Sequence, residues 1–223
     1  MRIGVLLSGC GVFDGAEAYE TVITLLALDR AGATARVMAP DTPQLHVVDH
    51  RTGEVVAGES RNVLTEAARL CRGEIEDVAG VPAAELDALI LPGGFGVAKN
   101  LCTFAVDGPE CTVDADVAGL VADMLAAEKP VGAICIAPAL MAAVLRDLKR
   151  RGRVTVGAGD GDGAVAGIEA MGAEHQACAV TEICHDEGLR LVSTPAYMEA
   201  GSIGEAAEGI EKLVAKVLEL TRD

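Results

Sequence analysis

Three observations predict an α/β domain built around a mainly parallel sheet. The chain has 223 residues, 51% hydrophobic and 23% charged, a length and balance that suit one well-buried domain over 1–223 and fall short of two. Its core is aliphatic, with no Trp, 2 Tyr and 3 Phe, and its apolar runs are short, as in strands buried on both faces. Several runs end in a Gly or Pro loop followed by a helical pattern, giving strand, turn and helix in succession.

Arg2 to Leu7 reads as the first strand, and Ser8-Gly9-Cys10-Gly11 as the loop at the edge where parallel sheets bind ligands. Asp14-Gly15-Ala16-Glu17 has the form of a capping box, with Asp14 as N-cap and Glu17 at N3, opening a helix that stops at Gly32. Tyr19, Val22, Ile23 and Leu26 are expected to supply its buried stripe, with Glu20 in the row beside it along with Ala16, Thr24 and Ala27. A carboxyl against an apolar face has its pKa raised by desolvation and keeps its proton near neutral pH. Glu17 already has a capping task, so Glu20 is the better candidate acid. A surface carboxylate paired with a base is the structural alternative.

Thr34 to Ala39 is a second strand ended by Pro40. His46 to Asp49 and Glu54 to Ala57 flank Arg51-Thr52-Gly53 as a hairpin, which leaves His46 and His50 facing solvent. Ser60 is placed as the cap of a helix ending near Cys71. Ala88 to Leu91 is a third buried strand, and it runs into Pro92-Gly93-Gly94-Phe95-Gly96. Successive glycines let a backbone approach a ligand and turn its N–H groups inward, although Pro-Gly-Gly alone marks only a turn. Residues 97–113 form a loop or short helix with Cys102 and Cys111, and Asp114 to Glu128 is an amphipathic helix stopped by Lys129-Pro130.

Val131 to Ile134 is a strand closed by Cys135, and an Ala/Leu/Met-rich helix follows at Pro138. The thiol therefore stands on a strand-to-helix turn, where unpaired N–H groups and the helix dipole favour thiolate. The same turn in hydrolases projects a nucleophile and aims the next N–H, here that of Ile136, at an oxyanion. A small apolar residue closing a buried strand is the alternative. Arg146, Lys149, Arg150, Arg151 and Arg153 then complement the C-terminal dipole of that helix.

Further on, Val154 to Val156 reads as a strand, Cys178 to Ile183 and Leu189 to Ser193 as a hairpin turning at 185–188, and Gly204 to Leu220 as a closing helix. The loop 159–163 is only superficially a calcium loop, because Met171 stands where the Glu ligand belongs. His175, Cys178, Cys184 and His185 make a poor zinc quartet, since adjacent strand residues point to opposite faces. A formal charge of −16 disfavours nucleic acid and anionic membranes as partners. Seven cysteines without a repeated spacing indicate reduced thiols, and with no signal peptide read at the N-terminus the expected location is cytoplasmic.

Three stretches together carry a resemblance: Leu6-Leu7-Ser8-Gly9-Cys10-Gly11-Val12-Phe13-Asp14-Gly15-Ala16-Glu17-Ala18-Tyr19-Glu20, Leu91-Pro92-Gly93-Gly94-Phe95-Gly96-Val97-Ala98-Lys99-Asn100-Leu101, and Gly132-Ala133-Ile134-Cys135-Ile136-Ala137-Pro138. On these the chain resembles the PfpI/class I glutamine amidotransferase-like superfamily, and within it a glyoxalase-like branch. The resemblance implies a flavodoxin-like α/β/α sandwich with Cys135 on a nucleophile elbow and Glu20 as the acid against its sulfur. It also implies that Gly93, Gly94 and Ile136 form the oxyanion and substrate site. The activity it implies is a cofactor-independent conversion of glyoxal or methylglyoxal to a 2-hydroxy acid, by a homodimer acting on a small α-oxoaldehyde. Two alternatives stand beside it: a redox-responsive protein with an oxidisable Cys135, and a glutaminase-like subunit. The last is weakened because Ala133 and Ala137 occupy glycine places of the glutaminase pattern. In addition, Ile136 stands where PfpI-type proteases carry histidine, so a Cys–Glu pair without a triad is the expected arrangement.

Overall fold

The apolar runs pair into one sheet in a computed structural model that describes residues 1–159 and 163–222. Its strands are β1 (Arg2–Leu6), β2 (Thr34–Ala39), β3 (Glu76–Asp77), β4 (Ala88–Leu91), β5 (Val131–Ile134), β6 (Cys184–Asp186) and β7 (Leu191–Thr194). They lie in the order β6-β7-β5-β4-β1-β2-β3, parallel throughout except for β6 against β7. Every residue of β4 and β5 is buried, which is why these segments read as continuous apolar runs without alternation.

Helices cover both faces. On one side α1 (Ala18–Arg30), α2 (Val63–Ala67) and α7 (Ile203–Leu220) pack with Ile3, Val5, Ile90 and Ile134; on the other, α4 (Ala115–Ala126), α5 (Ala137–Asp147) and α6 (Ala164–Ala170) pack with Leu6, Leu89, Leu91 and Val131. A short α3 (Phe104–Asp107) lies in the loop before α4. This is the α/β/α sandwich, with alternate residues of each strand feeding the two cores. Among the described residues, no helix is long and apolar enough to cross a membrane.

Several expectations are corrected. The N-cap is displaced by three residues and no capping box closes: Glu17 is the N-cap of α1, its side chain accepting from the Glu20 N–H at 2.7 Å, while its own N–H donates to Gly93 O at 2.9 Å. Asp14 instead accepts from the Val48 N–H at 2.7 Å, because the chain before the helix is tied back by Gly15 N–H to Gly11 O at 2.7 Å and Gly11 N–H to Ala16 O at 2.9 Å. The buried face of α1 carries Glu20, Ile23, Thr24 and Leu28, whereas Tyr19, Val22 and Leu26 are 52%, 51% and 42% exposed. Hydrogen bonds to the Glu20 carboxyl set the rotation of this helix, overriding the apolar pattern.

The hairpin contracts to Val48–Asp49 against Glu54–Val55. His50 is exposed as expected, with its Nε2 accepting from the Phe13 N–H at 3.2 Å, whereas His46 is half-buried. Asn62, not Ser60, caps α2, accepting from the Thr65 N–H at 2.9 Å. The strand expected over Val154 to Val156 is Arg153–Val154, paired in parallel with Glu174–His175. The late hairpin is shifted so that β6 occupies part of the expected turn. Asp186 ends it by accepting from the Leu189 N–H at 3.0 Å, and Arg190 takes a φ of 52°. In the loop 159–163, residues 160–162 lie outside the described residues. All seven cysteines are free thiols.

Candidate functional site

The C-terminal ends of β1, β4, β5 and β7 meet where the chain order of the sheet reverses, the position at which open parallel sheets bind ligands. Cys135 follows β5 directly and is 7% exposed. Its φ of 60° lies in the left-handed region, which costs a side-chain-bearing residue about 1–2 kcal/mol. The turn is anchored by the Cys135 N–H on Thr194 O at 3.0 Å. Helix α5 then starts at once, with Ile136 as its N-cap and Pro138 in its first turn, where a missing N–H is harmless.

Gly93 makes room for this elbow. A Cβ there would lie 2.4 Å from Cys135 Cβ, 2.8 Å from Glu20 Oε2 and 2.9 Å from Ile134 O. Gly94 has a φ of 97°, and a Cβ on it would lie 2.4 Å from Gly15 O and 2.5 Å from the Glu17 nitrogen. The two glycines thus let three loops converge on one sulfur.

Glu20 is completely buried. Its Oε2 accepts from the Gly93 N–H at 2.8 Å and its Oε1 from the Tyr197 N–H at 3.2 Å, and the carboxyl stands beside Cys135 and acts on its thiol. Burial, followed by the charge of Glu17, pushes its pKa up to about 8 against the pull of these hydrogen bonds. Cys135 is pushed well above the usual thiol range, first by burial and then by the charge of Glu20, while the N–H groups of Gly94 and Ile136 pull the other way. The expected resting thiolate is therefore corrected: desolvation outweighs the helix N-terminus, and at neutral pH both members of the pair hold their protons.

The expected donor set divides in two. Gly94 and Ile136 present N–H groups to the sulfur, whereas the Gly93 N–H is spent on Glu20. Sequence reasoning missed Tyr197 as a donor to Glu20 and Glu17 as the residue that caps it. It also missed the braces of the β1 loop: Lys99 Nζ donates to Phe13 O at 2.7 Å, and Asn100 Nδ2 to Ser8 O and Asp14 O at 2.9 Å each. Lys99-Asn100 and Tyr197 all lie in recognisable stretches, but nothing in their polarity assigns them these contacts.

Cys135 opens into a cavity of about 540 Å³ whose lining includes Val12, Phe95, Phe104, Ile136 and Met198. Among the described residues, none of those lining it is charged. The groups acting on the thiol are Glu20, Gly94 and Ile136, without a histidine. Such a site can bind a small neutral carbonyl compound, hold an oxyanion by two N–H groups and exchange a proton with Glu20. Among the described residues, no three His, Cys, Asp or Glu side chains are placed to hold a metal ion.

The DJ-1/PfpI family model matches residues 10–162. The human protein named "Glutamine amidotransferase-like class 1 domain-containing protein 3, mitochondrial" is 46% identical over 227 residues, covering 99% of this chain and 83% of that protein. The "ES1 protein homolog, mitochondrial" of Rattus norvegicus is 44% identical over 227 residues, covering 99% of this chain and 84% of that protein. Among solved structures, an isoprenoid biosynthesis protein with amidotransferase-like domain from Ehrlichia chaffeensis superposes with a TM-score of 0.90 at 36% identity over 98% of both chains. The names of the human and rat relatives overturn the expected cytoplasmic location.

Proposed function

The chain belongs to the DJ-1/PfpI family, and from that premise we propose that it is a cofactor-independent enzyme in which Cys135 attacks a small α-oxoaldehyde and Glu20 carries the proton that converts it to a 2-hydroxy acid. This is the activity suggested by the resemblance of its motifs to the glyoxalase-like protein ElbB. The observation that carries the reading is a buried Glu20 carboxyl, titrating at about 8, that stands beside the Cys135 thiol at a cavity whose described lining carries no charge.

The steps follow from these positions. Loss of the first proton from the pair leaves one proton shared between carboxyl and sulfur, so that thiolate is available. The sulfur adds to the aldehyde carbon of glyoxal or methylglyoxal, and the Gly94 and Ile136 N–H groups hold the resulting oxyanion, each such donor being worth about 10²–10³ in rate. Glu20 gives its proton to that oxygen and then, as carboxylate, removes the hydrogen from the sulfur-bearing carbon and returns it to the neighbouring carbonyl carbon through an enediol. This leaves a thioester, and water cleaves it to release the hydroxy acid and restore the thiol. A carboxyl that titrates at about 8 is matched to taking and giving a proton near neutral pH.

The glutaminase reading is disfavoured because no histidine acts on Cys135 and the described lining offers no charge to pair with the ends of an amino acid. A redox role is the second reading, favoured by Glu20 standing within hydrogen-bond reach of the sulfur, where it could donate to a sulfinate oxygen. Homodimerisation belongs to the same proposal, and the exposed stripe Tyr19, Val22 and Leu26 supports a second copy packing on α1. Incubation with methylglyoxal and detection of lactate by NMR tests the enzyme reading. Wild type is expected to form lactate, Cys135→Ala to form none and Glu20→Gln to be reduced by at least 10²-fold, about the value of a positioned general acid–base. Equal lactate from wild type and Cys135→Ala removes the mechanism. Absent turnover with selective oxidation of Cys135 by dilute peroxide favours the redox role.

A further inference from the structure

We propose that Cys102 and Cys111 form a thiol–disulfide site, separate from Cys135, that a small hydroperoxide oxidises. Cys102 pairs with Val113 in an antiparallel bridge, flanked by the Thr103 N–H on Thr112 O at 2.9 Å and the Asp114 N–H on Leu101 O at 2.8 Å. That pattern marks a non-hydrogen-bonded pair, whose side chains stand close together on one face. Residue 111, two positions back along the strand, shares the face. There the two thiols act on each other, with Cys102 Sγ donating to Val97 O at 3.3 Å and Cys111 Sγ lying 3.9 Å from Met171 Sδ. Cys102 and Cys111 are 3% and 0% exposed, and the proposed chemistry at Cys135 uses neither.

The surroundings make the pair unequal. Arg146 closes over Cys111, its Nη1 donating to Pro109 O at 2.5 Å and its Nη2 to Cys111 O at 2.7 Å. The neighbouring Cys102 thiol, aided by Arg146, draws the Cys111 thiol down, and Cys111 together with burial pushes Cys102 up. Cys111 is thus the attacking thiolate and Cys102 the thiol that resolves it, the arrangement in which an oxidised sulfur is captured before it goes further. Cys102, Thr103 and Thr112 border a surface groove of about 320 Å³; Cys111 does not line it, and a hydroperoxide reaches that thiol when the intervening loop, in which Val106 is 65% exposed, opens. The same loop supplies Phe104 and Ala105 to the cavity of Cys135, so the cross-link would tie both ends of that wall.

The chemistry balances with one equivalent of peroxide. The Cys111 thiolate attacks one oxygen, the O–O bond breaks, and the departing hydroxide takes a proton to become water, leaving a sulfenic acid. The Cys102 sulfur then displaces the hydroxyl from Cys111 and gives up its proton, forming the disulfide and a second water. Two thiols are oxidised and the peroxide is reduced.

The test treats the purified full chain with a few equivalents of hydrogen peroxide and blocks remaining thiols with chloroacetamide under denaturing conditions. It then cleaves after Glu110, which places the two cysteines on separate peptides for mass spectrometry. The expected result is a joined pair of peptides holding Cys102 and Cys111, at a dose that leaves Cys10, Cys71 and Cys178 alkylated. In Cys102→Ser, Cys111 is expected to take the sulfenic acid label dimedone, which wild type does not. Two results would overturn the proposal: both cysteines fully alkylated once Cys135 or the half-buried thiols are oxidised, or equal dimedone labelling of Cys111 in wild type and Cys102→Ser.

Discussion

Glu20 makes the stability of this protein fall with rising pH across a window that can be worked out from its position. Its carboxyl titrates at about 8 in the fold against 4.5 for the unperturbed group. Between those values the folded state binds more protons than the unfolded chain, so stability decreases as pH rises. The contribution is complete below about 4.5, is lost progressively up to about 8, and is constant above that. Each pH unit in the window removes up to about 1.4 kcal/mol. The perturbation is Glu20→Gln, which cannot titrate. Its amide also cannot accept from both the Gly93 and Tyr197 N–H groups, a constant cost of about 1–3 kcal/mol that offsets the curve without tilting it. Urea unfolding of both proteins at pH 5, 6, 7 and 8 gives the difference in unfolding free energy as a function of pH. Wild type is expected to lose ground to Glu20→Gln by up to about 1.4 kcal/mol per unit until about pH 8, then run level. Parallel curves from pH 5 to 8 would refute the raised carboxyl.

Gly93→Ala is expected to abolish lactate formation and cost at least about 1–3 kcal/mol, since its Cβ would meet Cys135, Glu20 and Ile134. Gly119→Ala, in α4 with nothing within 4 Å of the added Cβ, serves as the control and is expected to gain up to about 1 kcal/mol by urea unfolding. Asn100→Ala removes the 2.9 Å donor to Ser8 O and the 3.0 Å acceptor of the Leu45 N–H, Asp14 O retaining Gln44 Nε2, and a loss of about 1–3 kcal/mol is expected by thermal or urea unfolding. Val22→Glu on the exposed face of α1 is expected to convert a dimer to monomer in sedimentation analysis while leaving the circular dichroism spectrum unchanged.

The parts of the fold that could be read from residue pattern are those where a single local force decides. β4 and β5 are continuous apolar runs because both of their faces are covered, and Asp114 and Lys129-Pro130 bound the helix between them by capping and chain geometry. Cys135 was recognisable from a strand ending abruptly at a helix start. What was not legible depends on tertiary partners. Helix α1 is rotated by the anchoring of Glu20 on backbone N–H groups from residues 93 and 197, and no periodicity in residues 18–30 contains that information. The protonation of Cys135 also reverses between sequence and structure, because the helix dipole is a local feature whereas burial and the charge of Glu20 arise only once the loops converge. Gly93 could be identified as a close-approach position, but not that its N–H would be committed to a carboxyl.

The pairing of Cys135 with Glu20 is tested most directly by the rate at which chloroacetamide alkylates Cys135 from pH 5 to 10, followed peptide by peptide in wild type and Glu20→Gln. In wild type the rate is expected to rise only well above the range of an ordinary thiol, because burial and the charge of Glu20 hold the proton on the sulfur. In Glu20→Gln the rise is expected to move downward, because the charge of Glu20 no longer opposes thiolate and burial alone raises the thiol. Superimposable profiles for the two proteins would contradict a shared proton and, with it, the proposed chemistry.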